Sequence, residues 1–90
     1  MTVQDFRNTL SSKTPPPLLL ALWHDANGDW QTAHMLAQDV EGASDAWVHA
    51  YLHRKDGDLG NATYWYRRGN HPIATDALEA EWTRIVSALL

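Results

Sequence analysis

Apolar residues recur every three or four positions in four segments of the chain. This spacing places them on one face of an α-helix, and no segment shows the alternation of apolar and polar residues that is typical of a half-buried strand. The pattern therefore predicts an all-α fold. The four stripes consist of Trp30, Ala33, Ala37 and Val40; of Trp47, Val48, Tyr51 and Leu52; of Ala62, Trp65, Tyr66 and Gly69; and of Leu78, Trp82, Ile85, Val86 and Leu89.

Two segments share one short pattern, Ala-x-x-His-x-x-x-Gly-Asp-apolar-x-x-Ala, at an offset of 29 residues. A glycine in the left-handed conformation ends a helix, and an aspartate that follows it can cap the next one. Each copy therefore predicts two helices joined by a tight turn, and we divide the chain into repeat 1 (17–45) and repeat 2 (46–73). The identical pairs are Ala21 and Ala50, His24 and His53, Gly28 and Gly57, Asp29 and Asp58, and Ala33 and Ala62.

Two further helices are predicted to flank the repeats. Residues 1–16 combine a short helix, for which Thr2 is a suitable N-cap, with a proline-rich connector. Residues 74–90 form the last helix, and Asp76 and Glu79 have the spacing of a capping box at its start. Two repeats alone rarely bury a continuous core, so we expect the end helices to close the stack.

The turn sequences NGDWQTA (27–33) and DGDLGNA (56–62) resemble those of tetratricopeptide repeats. The resemblance covers about residues 17–72, and its period of 29 residues is shorter than the typical ~34. It implies an all-α fold of two degenerate tetratricopeptide-like helix-turn-helix repeats between an N-terminal and a C-terminal capping helix. It also implies recognition of a protein or peptide, by analogy with the class.

The strings WHDANGDW (23–30), AWVHAYLHRK (46–55) and YWYRR (64–68) resemble a family of short bacterial proteins of unknown function. This second resemblance implies a fold and no particular chemistry.

Composition narrows the class of protein further. Ninety residues suit one domain, and a hydrophobic fraction of 44% with five tryptophans supplies a core. The chain has no cysteine, which excludes disulfides and thiolate metal sites. Its net charge of −4 argues against a nucleic-acid surface, and it shows neither a secretory signal nor an apolar run long enough for a membrane. We therefore expect a cytoplasmic protein.

Histidines are the first candidates for chemistry. His49 and His53 lie four residues apart on a predicted helix, so both can bind one divalent metal, with His24, Asp25 or Asp45 completing the shell. The alternative is structural, because His24 and His53 occupy equivalent repeat positions before a glycine. There an imidazole can bond to the open carbonyls of a helix end. The sequence favours the structural interpretation.

A second candidate is a basic and aromatic surface made by Tyr64, Arg67 and Arg68 with Arg54 and Lys55. Such side chains stack on or clamp an acidic partner. The alternative is that Arg67 and Arg68 are cations placed at a helix C-terminus, where the macrodipole favours them.

The sequence contains no nucleophile elbow and no glycine-rich phosphate loop, so we expect neither a catalytic residue nor a cofactor. The preferred hypothesis is a non-enzymatic module that binds a protein or peptide, with a homodimer left open. The alternative is a protein that binds a small ligand or divalent metal through histidines on a helix face.

Overall fold

Five α-helices make up the part of the chain that the computed structural model describes, residues 17–38 and 42–90. No strand occurs within these ranges, and the predicted all-α fold is confirmed. The predicted N-terminal helix and the last apolar position of the first stripe, Val40, lie outside the described residues. The helices are α1 (Pro17–Ala26), α2 (Trp30–Gln38), α3 (Ala43–Lys55), α4 (Leu59–Arg68) and α5 (Leu78–Leu89).

The predicted turns between α1 and α2 and between α3 and α4 have the same backbone geometry. Gly28 and Gly57 have φ angles of 83° and 84°, in the left-handed region where a side chain is strained. After Gly28, the N–H of Asp29 donates to the His24 carbonyl at 2.9 Å. After Gly57, the N–H of Asp58 donates to the His53 carbonyl, also at 2.9 Å. These bonds satisfy carbonyls at the ends of α1 and α3.

The aspartate after each glycine caps the next helix, as the sequence predicts. Asp29 Oδ1 accepts a bond from the Thr32 N–H at 3.1 Å, and Asp58 Oδ1 accepts one from the Asn61 N–H at 3.2 Å. The side chains of Thr32 and Asn61 donate to the other carboxylate oxygens. These bonds favour the charged form and lower the pKa of both carboxyls.

A third turn of the same kind ends α4. The N–H of His71 donates to the Tyr66 carbonyl at 2.9 Å, and Asn70 takes the left-handed position with a φ of 56°. Asparagine tolerates this conformation better than most residues with a side chain. The Gly-Asn-His-Pro segment at 69–72 therefore ends the helix through Asn70 rather than through its glycine.

The predicted capping box of α5 is wrong. The residue that precedes α5 is Ala77, and no side chain caps the helix. The Asp76 carboxylate forms an ion pair with Arg84 instead, and the Asp76 carbonyl accepts a bond from Arg54. Because these arginines hold Asp76 outside the helix, it does not act as a cap.

The helices pack as two hairpins with α5 across them. α1 packs against α2, α3 packs against α4, and α2 joins the hairpins by packing against α3. α5 lies against α1 and α3, the first helix of each hairpin. Buried alanines, among them Ala33 and Ala62, let the helices approach closely. None of the described helices combines the length and the apolar character needed to cross a bilayer.

A fully buried carboxylate, Glu81, ties α5 to the second hairpin. It accepts bonds from Trp47 Nε1 at 3.2 Å, from the Tyr66 hydroxyl at 2.6 Å and from Arg54 Nη1 at 2.9 Å. Burial and the bond to this carboxylate raise the pKa of Tyr66. These bonds offset the cost of burying a charge, which is large when a charge is unpaired.

A second buried carboxylate, Asp25, ties α1 to α3. It accepts bonds from the Tyr51 hydroxyl and from Lys55 Nζ, both at 2.9 Å. Burial and the neighbouring carboxylate raise the pKa of Tyr51. Both acidic groups are therefore part of the packing between helices.

Candidate metal centre

A groove of about 960 Å³ lies between α2, α3 and α4. Its borders are α2 and α4, the second helix of each hairpin, with α3 between them. α5 packs on the first helices, α1 and α3, and does not line the groove. Most of the residues that line it carry polar side chains, and three of them are histidines. The lining residues are His34, Gln38, Gly42, Asp45, His49, His53, Asn61, Trp65, Arg68, Gly69 and Asn70.

His34, His49 and His53 come together in the groove. His49 and His53 lie one turn apart on α3, and the packing of α2 on α3 brings His34 opposite them. Each ring offers one nitrogen, and the three nitrogens all lie within 4.8 Å of one another. The His34 ring centroid is 5.2 Å from that of His49 and also 5.2 Å from that of His53.

Two tryptophans hold the three rings in place. Trp30 stacks on His34 with a centroid separation of 4.9 Å and meets His53 edge-on at 6.1 Å. The Trp30 indole is itself fixed, because Nε1 donates to the Leu52 carbonyl at 2.8 Å. Trp65 packs against His49 at 4.2 Å. Since aromatic contacts restrict the rotation of each imidazole, the cluster is pre-organised.

The environment favours neutral imidazoles. Burial lowers the pKa of His49, and the nearby charges of His34, His53 and Arg68 lower it further, while the Ala37 backbone partly opposes them. Burial and the charge of His53 also lower the pKa of His34. A neutral imidazole has a free lone pair and is the form that binds a metal ion.

His49 is buried, with 4% of its surface exposed. Among the described residues, neither of its ring nitrogens has a hydrogen-bond partner of normal geometry. The Nε2 atom lies 3.4 Å from Asp45 Oδ1. Buried polar atoms usually have a partner, and a carboxylate beside a histidine is the usual outer support of a metal ligand.

Three imidazoles suit zinc and the neighbouring divalent transition metals. Zinc binds imidazole nitrogen at about 2.0–2.1 Å, which places the nitrogens of a tetrahedral site about 3.4 Å apart. The three imidazole nitrogens, all within 4.8 Å of one another, approach this spacing.

The structure places only two of the three histidines predicted from the sequence in the cluster. His49 and His53 are in the cluster, with Asp45 beside them, whereas His24 lies on α1, edge-on to Trp23 at 5.1 Å. Asp25, considered as a further ligand, is held by Tyr51 and Lys55.

Sequence reasoning missed His34. Its only local signal is its position next to Ala33, on the face of α2 that the apolar stripe turns towards the core. Pairing it with His49 requires knowing that α2 and α3 pack together, since 15 residues separate the two histidines.

The predicted basic and aromatic surface is also divided. Arg68 lines the groove, where its guanidinium lies 5.4 Å from the centre of the Trp65 ring and donates to the Tyr64 hydroxyl at 3.0 Å. Arg67 is exposed in the last turn of α4, as the helix-dipole interpretation predicts. Arg54 and Lys55, by contrast, bind the buried carboxylates Glu81 and Asp25.

Comparison with family models, with curated proteins and with solved structures finds no match for this chain.

Proposed function

We propose that the protein binds a divalent transition-metal ion of the zinc class through His34, His49 and His53. The observation that carries this proposal is the convergence of three imidazole nitrogens, from two helices, within 4.8 Å. The lowered pKa values of His34 and His49 support it, because they keep these ligands neutral near pH 7.

A purely structural cluster of rings is a weaker explanation. Packing alone requires contact between ring faces and does not require nitrogens to converge. It also leaves the buried nitrogens of His49 without a hydrogen bond of normal geometry among the described residues. A buried polar atom without such a bond costs about 1–3 kcal/mol, and a bound cation removes that cost at the one nitrogen that it contacts.

The test is a zinc titration of the protein after treatment with a chelator, followed by calorimetry and by tryptophan fluorescence. We expect one equivalent to bind and the emission to change, because Trp30 and Trp65 contact the ligands. Zinc at 100 times its Kd stabilises the fold by roughly 2.7 kcal/mol, which a thermal melt detects.

The matched control uses the two histidines at equivalent repeat positions. His53→Ala is expected to weaken zinc binding more than about 10-fold, because even the outer partners of metal ligands are worth about 10- to 100-fold. His24→Ala keeps the affinity, because His24 lies outside the cluster. Equal affinities of the two variants, or no binding heat at near-millimolar zinc, refute the proposal.

As a second candidate we propose a protein- or peptide-interaction module built from two diverged, tetratricopeptide-like hairpins. The equal turn geometry at Gly28 and Gly57 supports the repeat, and a groove of about 960 Å³ offers far more room than an ion needs. Selection of peptides against the chelator-treated protein tests it. Peptides that bind the wild type and a His53→Ala variant equally, but not a Trp65→Ala variant, favour this candidate.

A further inference from the structure

We propose that the groove binds the acidic group of a ligand, a carboxylate or a phosphate, between the metal ion and the guanidinium of Arg68. This inference rests on the proposed function, since it names the class of ligand that the metal-loaded site takes.

The first argument is the number of ligands. Among the described residues, three histidines form the cluster, and no fourth metal ligand lies at the same spacing. Zinc with three protein ligands keeps a fourth position for water or for an exchangeable ligand. Because the cluster lines an open groove, that position is accessible from solvent.

The second argument is the placement of Arg68. Trp65 contacts both this arginine and the cluster, since its ring lies 4.2 Å from that of His49 and 5.4 Å from the guanidinium. Arg68 and the three histidines also line the same groove. One Arg68 donor bonds to the Tyr64 hydroxyl, and a guanidinium has further N–H groups for an oxyanion.

The third argument is charge. Among the residues that the structure describes, the charged side chains that line the groove, besides the histidines, are Asp45 and Arg68. Asp45 is buried beside His49 and supports that ring. The charges of this carboxylate and this guanidinium cancel, so a divalent ion bound to the histidines would attract an anion.

The experiment uses the cobalt form of the full chain, because the visible spectrum of Co²⁺ changes when its open position takes a new ligand. Acetate and inorganic phosphate are titrated separately. The anion that binds with the higher affinity identifies the preferred acidic group. We expect a saturable spectral change with at least one of them, and we expect Arg68→Ala to weaken it about 10-fold or more.

Arg67→Ala is the matched control, since it removes the adjacent, exposed guanidinium of the same helix. It is expected to leave anion affinity unchanged. Both arginine variants are also titrated with zinc by calorimetry, so that their anion responses are compared with the metal bound. Failure to bind zinc refutes the proposed function and this inference together. Normal zinc binding without an anion response, or with equal responses of the Arg67 and Arg68 variants, refutes this inference alone.

Discussion

Two glycines on either side of one helix boundary illustrate how a single residue determines a turn. Gly57 has a φ of 84°, whereas Gly60 lies inside α4 with an ordinary helical backbone. A Cβ atom added at either position meets no atom within 4 Å. The two positions therefore differ in backbone conformation and not in available space.

Gly57→Ala is predicted to destabilise the protein by about 1–2 kcal/mol, because alanine is strained in the left-handed region. Gly60→Ala is predicted to stabilise it by about 0.5–1 kcal/mol, because alanine loses less conformational freedom in a helix. Urea denaturation of the two variants measures both effects. Equal effects of the two substitutions contradict this account of the turn.

Asp29 and Asp58, the carboxylates that follow Gly28 and Gly57, make the stability of the fold depend on pH under acidic conditions. Their pKa values are lowered in the folded state, so the stability they contribute is present above about pH 4 and is lost as pH falls through the folded pKa. Asn accepts the same cap bond without titrating. The double variant Asp29→Asn, Asp58→Asn is therefore predicted to lose less stability between pH 5 and pH 2 than the wild type does. Thermal melts across this range provide the measurement, and parallel losses contradict it.

At the scale of single residues, the sequence predicts the structure well where the hydrogen-bond partners lie close together in the chain. The Gly-Asp pairs at 28–29 and 57–58 predict both turns and both caps, since every partner lies within five residues. The same reasoning fails for Asp76, because it is bound by Arg84 and Arg54, which are 8 and 22 residues away in the sequence. Local motifs predict structure only where no distant side chain competes for the same atoms.

Between elements, the bond from Arg54 to Glu81 joins α3 to α5 in the interior. Glu81 is fully buried, and the Arg54 side chain is 15% exposed. Arg67, on α4, is exposed to solvent. The two arginines have the same chemistry, so their surroundings decide what each contributes to stability.

Arg54→Ala is predicted to destabilise the protein by about 3–5 kcal/mol, because it leaves a buried carboxylate without its cation. Arg67→Ala is predicted to change stability by no more than about 0.5 kcal/mol, as is usual for exposed positions. Guanidinium denaturation of both variants checks this comparison. A small effect of Arg54→Ala contradicts the assignment of Arg54 to the interior.

The sequence groups Arg54 and Lys55 with Tyr64, Arg67 and Arg68 in a predicted basic and aromatic surface. The carboxylate partners of Arg54 and Lys55 are 27 and 30 residues away. Neither the spacing nor the composition of the helix identifies these partners, so the two residues look like surface cations until the helices are packed.

For the whole molecule, the apolar stripes together with the repeated Gly-Asp turn are sufficient to predict the fold class and the order of the described helices. They do not indicate that α5 covers α1 and α3 and thereby leaves α2 and α4 to border a groove. The site depends on this arrangement, because His34 reaches His49 and His53 only across the packed pair of α2 and α3.

The three histidines belong to different hairpins, one to the first and two to the second. An ion held by all three would act as a cross-link between halves that otherwise meet through side-chain packing and hydrogen bonds. The stiffness of the molecule would then depend on the supply of metal around it, and a chelator would weaken the contact between the two hairpins.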